Sequence, residues 1–564
     1  MPNWDAVVVG SGPNGLAAAL TIAEAGRSVL VLEAADAPGG GCRSAELTLP
    51  GFVHDVCSAV HPLTGSPFFR GLPLEQMGIE LVQPDAPLAN PLDDGSAAVL
   101  ERSVAATAAG LGADGPAYAR LAGPLARRGT DLIDAVLAPL LSVPRHPLAL
   151  ARFAPLGLRS AVALGRRFGG DRARALLAGM AAHSFRPLDA PLTGGFGLLL
   201  ATLGHTVGWP VARGGSGRIT DGLVARLRAL GGELETGRRV TSLDELPAAR
   251  AVLLDVGPRQ AAAILAARLP PSYRARLLRY RYGPGAFKAD WALAGPIPWR
   301  APECARAATV HLGGTMAEVA AAEAQVAAGG HPERPFVLLA QPTVADPSRA
   351  PAGRHIAWAY CHVPNGSPVD MTERIERQIE RFAPGFRDLV LARATRGPAE
   401  LERGNANLVG GDIAGGLQDL RQTLARPVAR PDPYATPVAG VYLCSASTPP
   451  ERRAGRKVAA HPVHASARRG PGIAATDQTA EREAPWGSGR ASRRGRPSAS
   501  CSGATRTSPS SAGSSTTSSR TGVSFSEYVA AYTNAAVFIE DDFRDTRIST
   551  GSERLPDGTV MHAS

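Results

Sequence analysis

Residues Asp5–Glu33 read DAVVVGSGPNGLAAALTIAEAGRSVLVLE. The apolar run Ala6–Val9 has the length and β-branched content of a buried strand. Gly10-Ser-Gly12-Pro13-Asn14-Gly15 follows, then an apolar stretch at helical spacing that stops at Gly26, then the strand-like SVLVLE. Strand, glycine turn, helix and strand make a βαβ unit. Gly10 suits the tight turn, Gly12 lets backbone approach a pyrophosphate, and Gly15 lets helix and strand pack closely. The helix N-terminus offers free N–H groups to phosphate. Gly10, Gly12, Pro13, Asn14 and Gly15 are therefore expected to hold a dinucleotide. Glu33, about 20 residues further on, is placed to accept from ribose hydroxyls. A carboxylate there disfavours a 2′-phosphate, leaving FAD or NAD.

Two neighbouring features choose the flavin. Ala37–Leu47, APGGGCRSAEL, sets Gly39, Gly40, Arg43 and Ser44 in a second glycine-rich turn with a cation to neutralise diphosphate charge. No second strand–GxGxxG–helix unit is present; GGFG near Phe196 and GGSG near Ser216 lack the buried strand and the acid. One dinucleotide, FAD, is the expected cofactor. The six cysteines, at 42, 57, 304, 361, 444 and 501, include no C-x-x-C. That excludes a zinc ribbon, a disulfide framework and a flavin–nicotinamide disulfide reductase. The histidines show no metal-ligand spacing, and no metal is expected.

Gly71 to about Thr206 is mostly helical in pattern. Gly214–Leu223, GGSGRITDGL, feeds an amphipathic helix. The stretches ELETGRRVTSL and AVLLDVGP read as strands. FKADWAL, PFVLLAQPT, RHIAWAYCHV and GVYLCSAST read as strands too, with a helix around DMTERIERQIERFA.

The Asp5–Ser44 block resembles the FAD motif of the flavin amine oxidase superfamily. GGSGRITDGL is similar to that superfamily's second FAD-contacting block. FVHDVCSAVHPL (52–63), FKADWAL (287–293) and NLVGGDIAGG (407–416) look like the phytoene desaturase-like, or phytoene dehydrogenase-related, branch. The resemblance spans about residues 5–450. It implies an α/β fold in which a Rossmann-like FAD-binding domain interleaves with an α+β substrate domain. The expected segments are 1–70, 205–284 and 401–450 for FAD, 71–204 for a helical substrate or cap region, and 285–400 for a substrate sheet with helices. The resemblance also implies that a strand around Val240 holds the adenine end by backbone contacts.

The pattern breaks after Pro450. Residues 451–520 are dominated by Arg, Ser, Gly, Ala and Thr and carry a net charge of +9, while 521–564 carry −4 and 1–450 only +5. A segment of that composition cannot bury enough surface to offset chain entropy. A disordered basic tail is expected at 451–520, and 521–564 stays unassigned. The basic balance of the whole chain, +10, therefore argues for no nucleic-acid partner. Relatives continue from the strand into a glycine turn and an Ala-rich helix aimed at the flavin; here ERRAGRKVAAHPV stands instead. Such a bias is what a shifted frame of GC-rich DNA gives, so a frameshift near codon 450 is expected. Resequencing tests it: no alternative downstream frame encoding a glycine turn and Ala-rich helix would end the idea.

Flavin chemistry needs few acid–base groups, because the cofactor takes the hydride and the protein orients and tunes it. By the same resemblance the segment holding His54, Asp55, Ser58 and His61 returns toward the flavin ring. A His–Asp pair there would polarise substrate or relay a proton. Lys288 matches a lysine found near flavin N5 in related amine oxidases. His54, Asp55, His61 and Lys288 are the catalytic candidates. Asn405, Gly410, Gly411 and Asp412 form a polar turn expected to line the flavin or substrate cavity, with an ordinary loop as the alternative.

The expected activity is dehydrogenation or desaturation of a small lipophilic, carotenoid- or isoprenoid-like substrate, with oxygen or a quinone as electron acceptor. A flavin amine oxidase and a non-catalytic flavoprotein lacking its closing helix are the alternatives. The N-terminus carries no basic-plus-apolar leader and no run is long enough to span a bilayer, so a cytoplasmic place is expected. Leu132–Met180, apolar residues interleaved with Arg, is either a cap touching a membrane surface or a packed substrate domain with a basic face.

Overall fold

The run VVV at Val7–Val9 forms the centre of strand β1 (Trp4–Val9), and β2 (Val29–Leu32) lies parallel beside it, Ala6 opposite Val29. The computed structural model describes residues 3–137 and 144–449. All of them belong to one of two units of the chain, the other being 460–524, outside the described residues. Five parallel strands make the first sheet, in the order Val441–Leu443, Ala249–Leu254, β1, β2, Glu233–Glu235. Their residues come from three stretches far apart in sequence. β2 is buried at every position and β1 along Ala6–Val9, the pattern of parallel strands covered on both faces.

Helix α1 (Pro13–Glu24) crosses one face, with Pro13 at its first turn and every residue from Gly15 to Ala23 buried. Its small residues admit the helix Gly217–Ala229 at close range; Leu16, Leu20 and Ile22 share a core with Ile219, Leu223 and Leu227. Gly26, at φ +71°, ends the helix in a conformation that suits glycine.

The second sheet has seven strands in the order Val390–Arg396, Gly285–Leu293, His355–Val363, Val337–Ala340, Thr309–Leu312, Leu88–Pro91, Ala97–Leu100. Pairing is antiparallel except where Val310 meets Ala89. Gly285–Leu293 is buried at all nine positions because both faces are covered. Phe287, Ala289, Trp291 and Leu293 pack on the helix Thr372–Phe382 through Ile375, Ile379 and Phe382. On the other, inner face, Ala286, Leu338, Trp358 and Tyr360 share a core with Leu176, Met180, Phe185 and Leu198 of the helical region.

Two expectations are corrected here. Val240 is buried, but the residues around it are exposed and irregular: the strand closes at Glu235, and Gly237 follows at φ +69°. GVYLCSAST pairs only over Val441–Leu443. The Leu132–Met180 stretch packs through Leu132, Phe153, Leu164 and Leu176 into the inner core. The tail expectations for 451–564 lie outside the described residues.

Candidate functional site

Gly10 sits at φ +101°, and a Cβ there would meet the Asp255 carbonyl oxygen at 2.8 Å. A Cβ on Gly15 would lie 2.1 Å from the Gly10 carbonyl oxygen, so only glycine fits. The second turn closes on the first: a Cβ on Gly40 would come within 3.1 Å of the Gly12 Cα. Backbone surfaces thus meet where a phosphate group needs close approach, and the Glu33 carboxylate at the end of β2 suits a ribose. Glu33 accepts from the Ser11 amide (2.8 Å) and hydroxyl (2.5 Å) at Oε2 and from the Ala35 amide (2.9 Å) at Oε1. A carboxylate offers about four acceptor positions, so one remains for a ribose hydroxyl.

Arg43 ties loops together: its Nε donates to the Gly40 carbonyl (2.8 Å) and its NH2 group to that of Gly404 (3.1 Å). Ser44 donates its hydroxyl to Asp55 Oδ1 (3.0 Å) and accepts from the Gly217 amide (3.0 Å), linking the two expected FAD blocks. Asn405 approaches the Gly40 turn, whereas Asp412 ties its loop to the segment before Gly285–Leu293, accepting from the amides of Gly283 (2.7 Å) and Ala414 (2.8 Å). Gly410, at φ +63°, and Gly411 shape that loop.

Asp255 is a site residue that the sequence reading passed over. It ends the Ala249–Leu254 strand, and its Oδ2 accepts from the Gly15 amide (2.9 Å), deep under the glycine turn. Burial pushes its carboxyl up to about 8, with the Glu33 charge adding to the rise while the Gly15 amide and Asn14 side chain oppose it. The signal was visible in AVLLDVGP: an acid ends the strand next to β1.

His54, Asp55, His61 and Lys288 fall into two buried polar groups, His54 with Lys288 on Asp290 and Asp55 with His61 on Ser216, not as paired in sequence. Neighbours on a strand point to opposite faces, so His54 and Asp55 on Val53–Asp55 part company and the His–Asp pair is not formed. His54 turns to Asp290 (Nδ1 to Oδ1, 3.6 Å) and Thr48 (2.8 Å). Asp55 takes the fully buried Arg349 (2.8 Å), the Ser216 amide (2.7 Å) and the Ser44 hydroxyl. Burial raises the Asp55 carboxyl, but Arg349 outweighs it and the net shift is downward. His61 bonds Ser216 Oγ (2.9 Å). Burial lowers His54 and His61 to about 4 each, so both rings are neutral at pH 7.

Lys288, 3% exposed, donates to Asp290, and Arg396 flanks the same carboxylate at 3.4 Å. Burial lowers the lysine from its ordinary value while Asp290 opposes the fall. Its Nζ lies 4.9 Å from the Trp358 ring centroid. Asp290, Arg349, Arg396 and Ser216 were not among the expected site residues. Asp290 was legible as the i+2 neighbour of Lys288 on one strand face; the others come from distant segments.

A Rossmann-like nucleotide-binding domain joined to an antiparallel-rich sheet with a buried lysine is the class this geometry defines. Residues 8–70 match the family described as NAD(P)-binding Rossmann-like domain. The chain is 25% identical over 541 residues to pyridine nucleotide-disulfide oxidoreductase domain-containing protein 2 of Rattus norvegicus, covering 80% of this chain and 90% of that protein. Phytoene dehydrogenase of Streptomyces griseus is 28% identical over 425 residues, covering 69% and 78%. Among solved structures, putrescine oxidase bound to putrescine superposes with a TM-score of 0.50 at 18% identity, covering 78% of this chain and 92% of that one. That last likeness bears on the fold alone.

Proposed function

We propose that the chain is an FAD-dependent oxidoreductase that dehydrogenates or desaturates a lipophilic substrate. The dinucleotide would lie along Gly10–Gly15, Glu33 and the Gly39–Ser44 turn, with Val240 beside its adenine end. When bound, FAD supplies the hydride acceptor. The observation that carries the reading is the Lys288–Asp290–Arg396 group, set on the sheet face that looks into the helical region beside Leu338, Trp358 and Tyr360. Taking two hydrogens from adjacent carbons releases a proton as well as a hydride. The Lys288–Asp290 pair, with neutral His54 behind it, is a polar group on that face able to receive the proton. The surrounding Trp358, Tyr360 and Leu338 exclude water and suit an apolar body.

The relatives named above, oxidoreductases by name, support the chemistry class. The terminal electron acceptor in this reading is oxygen or a quinone. An amine substrate is the second reading, favoured by the near-parallel Trp358–Tyr360 pair (interplanar angle 14°). Lys288 already engages the Trp358 face as a cation, which weighs against an ammonium there. Among the described residues no helix is long and apolar enough to cross a membrane. Exposed Leu148 and Leu158, flanked by Arg145, Arg152 and Arg159, support contact with a membrane surface. Anaerobic flavin reduction, screened over carotenoid precursors, other isoprenoids and amines, tests the reading. Bleaching by the lipophilic set supports it, whereas bleaching by amines alone refutes it.

A further inference from the structure

A buried acid shares the helix end that the glycine fingerprint gives to a diphosphate. Asp255 is 6% exposed. A Cβ added to Gly12 would lie 2.6 Å from its Oδ2, and one added to Gly15 would lie 3.1 Å from the same atom. Only glycine backbone therefore separates the carboxyl from the surface of the turn. Of the first three positions of α1, Pro13 has no amide hydrogen, and the Gly15 amide is already given to Asp255 (2.9 Å). A βαβ fingerprint turns these amides toward a pyrophosphate. Carboxyl and diphosphate thus draw on one set of donors from opposite sides of the turn.

Charge makes the two groups exclusive. An ionised Asp255 would put a like charge against the diphosphate where burial keeps water from screening it. The titratable neighbours do not relieve this. Glu33, at the end of β2, reaches the same turn through the Ser11 amide and hydroxyl and adds a second carboxylate. Cys444 follows the Val441–Leu443 strand, its amide bonded to the Leu254 carbonyl (3.0 Å). Burial and the Asp255 charge hold its thiol well above the ordinary value, so it stays neutral. Helix α1 faces the acid with Asn14, which does not titrate, and β1 meets it through the Val9 carbonyl. Asn407 donates to the Asp255 carbonyl (3.2 Å). The cations of the neighbouring loops are committed elsewhere. Arg43 holds the Gly40 and Gly404 carbonyls, and Arg259, on the helix Pro258–Ile264, holds Glu402. A proton on Asp255 is the remaining way to remove the repulsion.

We propose that the diphosphate of FAD binds the form of the chain in which Asp255 is protonated, so that cofactor loading takes up one proton from solvent at alkaline pH. Asp255 is then a positioning residue: it fixes the Gly15 amide and sets the pH range over which the cofactor loads. No covalent bond other than that O–H is made or broken. This linkage rests on the FAD reading above and adds the proton that accompanies binding.

The test is calorimetric titration of FAD into the cofactor-free full chain at pH 7 and pH 9. Each titration is run in two buffers of different ionisation heat, which counts the protons taken up. With the folded carboxyl at about 8, uptake is expected to be about 0.9 proton per FAD at pH 9 and about 0.1 at pH 7. Over the same interval the affinity should fall about tenfold. Asp255→Asn is expected to abolish the uptake at pH 9 and to bind FAD equally at both pH values. Binding by the wild type without proton uptake at pH 9 overturns the inference, even if the variant fails to fold. So does an uptake that survives Asp255→Asn. If FAD binds at neither pH, the FAD reading itself has failed, which is a distinguishable result.

Discussion

Asp255→Asn gives the sharpest test of the glycine turn. The Asp255 carboxyl is buried beneath the Gly10–Gly15 turn with its proton held up to about 8, against an ordinary 3.8. A carboxyl whose folded value is raised binds its proton more tightly when folded, so stability falls as pH rises between the two values. The gap of about 4 units corresponds to about 5 kcal/mol, at 1.36 kcal/mol per unit. His54 and His61 act oppositely. Held near 4 when folded, they add stability as pH rises toward their unfolded value, so the wild-type curve mixes opposing slopes. Comparison with the variant isolates the aspartate. Asparagine keeps an oxygen for the Gly15 amide and cannot ionise. Urea unfolding of wild type and Asp255→Asn should give similar stabilities near about pH 4 and a variant more stable by up to about 5 kcal/mol above about pH 8. A difference that does not change with pH refutes the reasoning.

Three further outcomes are expected. Lys288→Met and Asp290→Asn should each slow substrate-driven flavin reduction by about 100-fold or more, with little change in FAD affinity; unaltered single-turnover rates in both would remove the pair from the chemistry. Arg349→Met leaves Asp55 buried without its partner and should cost about 3–5 kcal/mol of unfolding free energy. The Asp55 contribution, intact at neutral pH, should be lost as pH falls through a folded value below 3.8, and a wild-type-like acid limb would contradict this. Vesicles rich in anionic lipid should retain the chain in a flotation assay, and Leu148→Ser with Leu158→Ser should release it; retention unchanged by the pair would place the contact elsewhere.

Much of the fold was written in short-range patterns. The βαβ start is legible because glycine geometry and apolar runs act within a few residues of one another. The Gly285–Leu293 and His355–Val363 strands show the same for uninterrupted buried runs. What escaped is long-range. Asp255 reaches the glycine turn from 240 positions away, and Arg349 meets Asp55 across 294. The misread His54–Asp55 pair was avoidable: side-chain alternation along a strand already forbids it. Val240 misled because a valine between Arg239 and Thr241 looks like a strand position, while the strand had already closed at Glu235.

Cofactor titration of the purified chain tests the central claim most directly. Tryptophan quenching and retained flavin absorbance after gel filtration should show FAD binding at one per chain, with no comparable binding of NADP⁺. Glu33→Ala should weaken FAD by about tenfold. Tight binding of NADP⁺ with no retention of FAD would contradict the account.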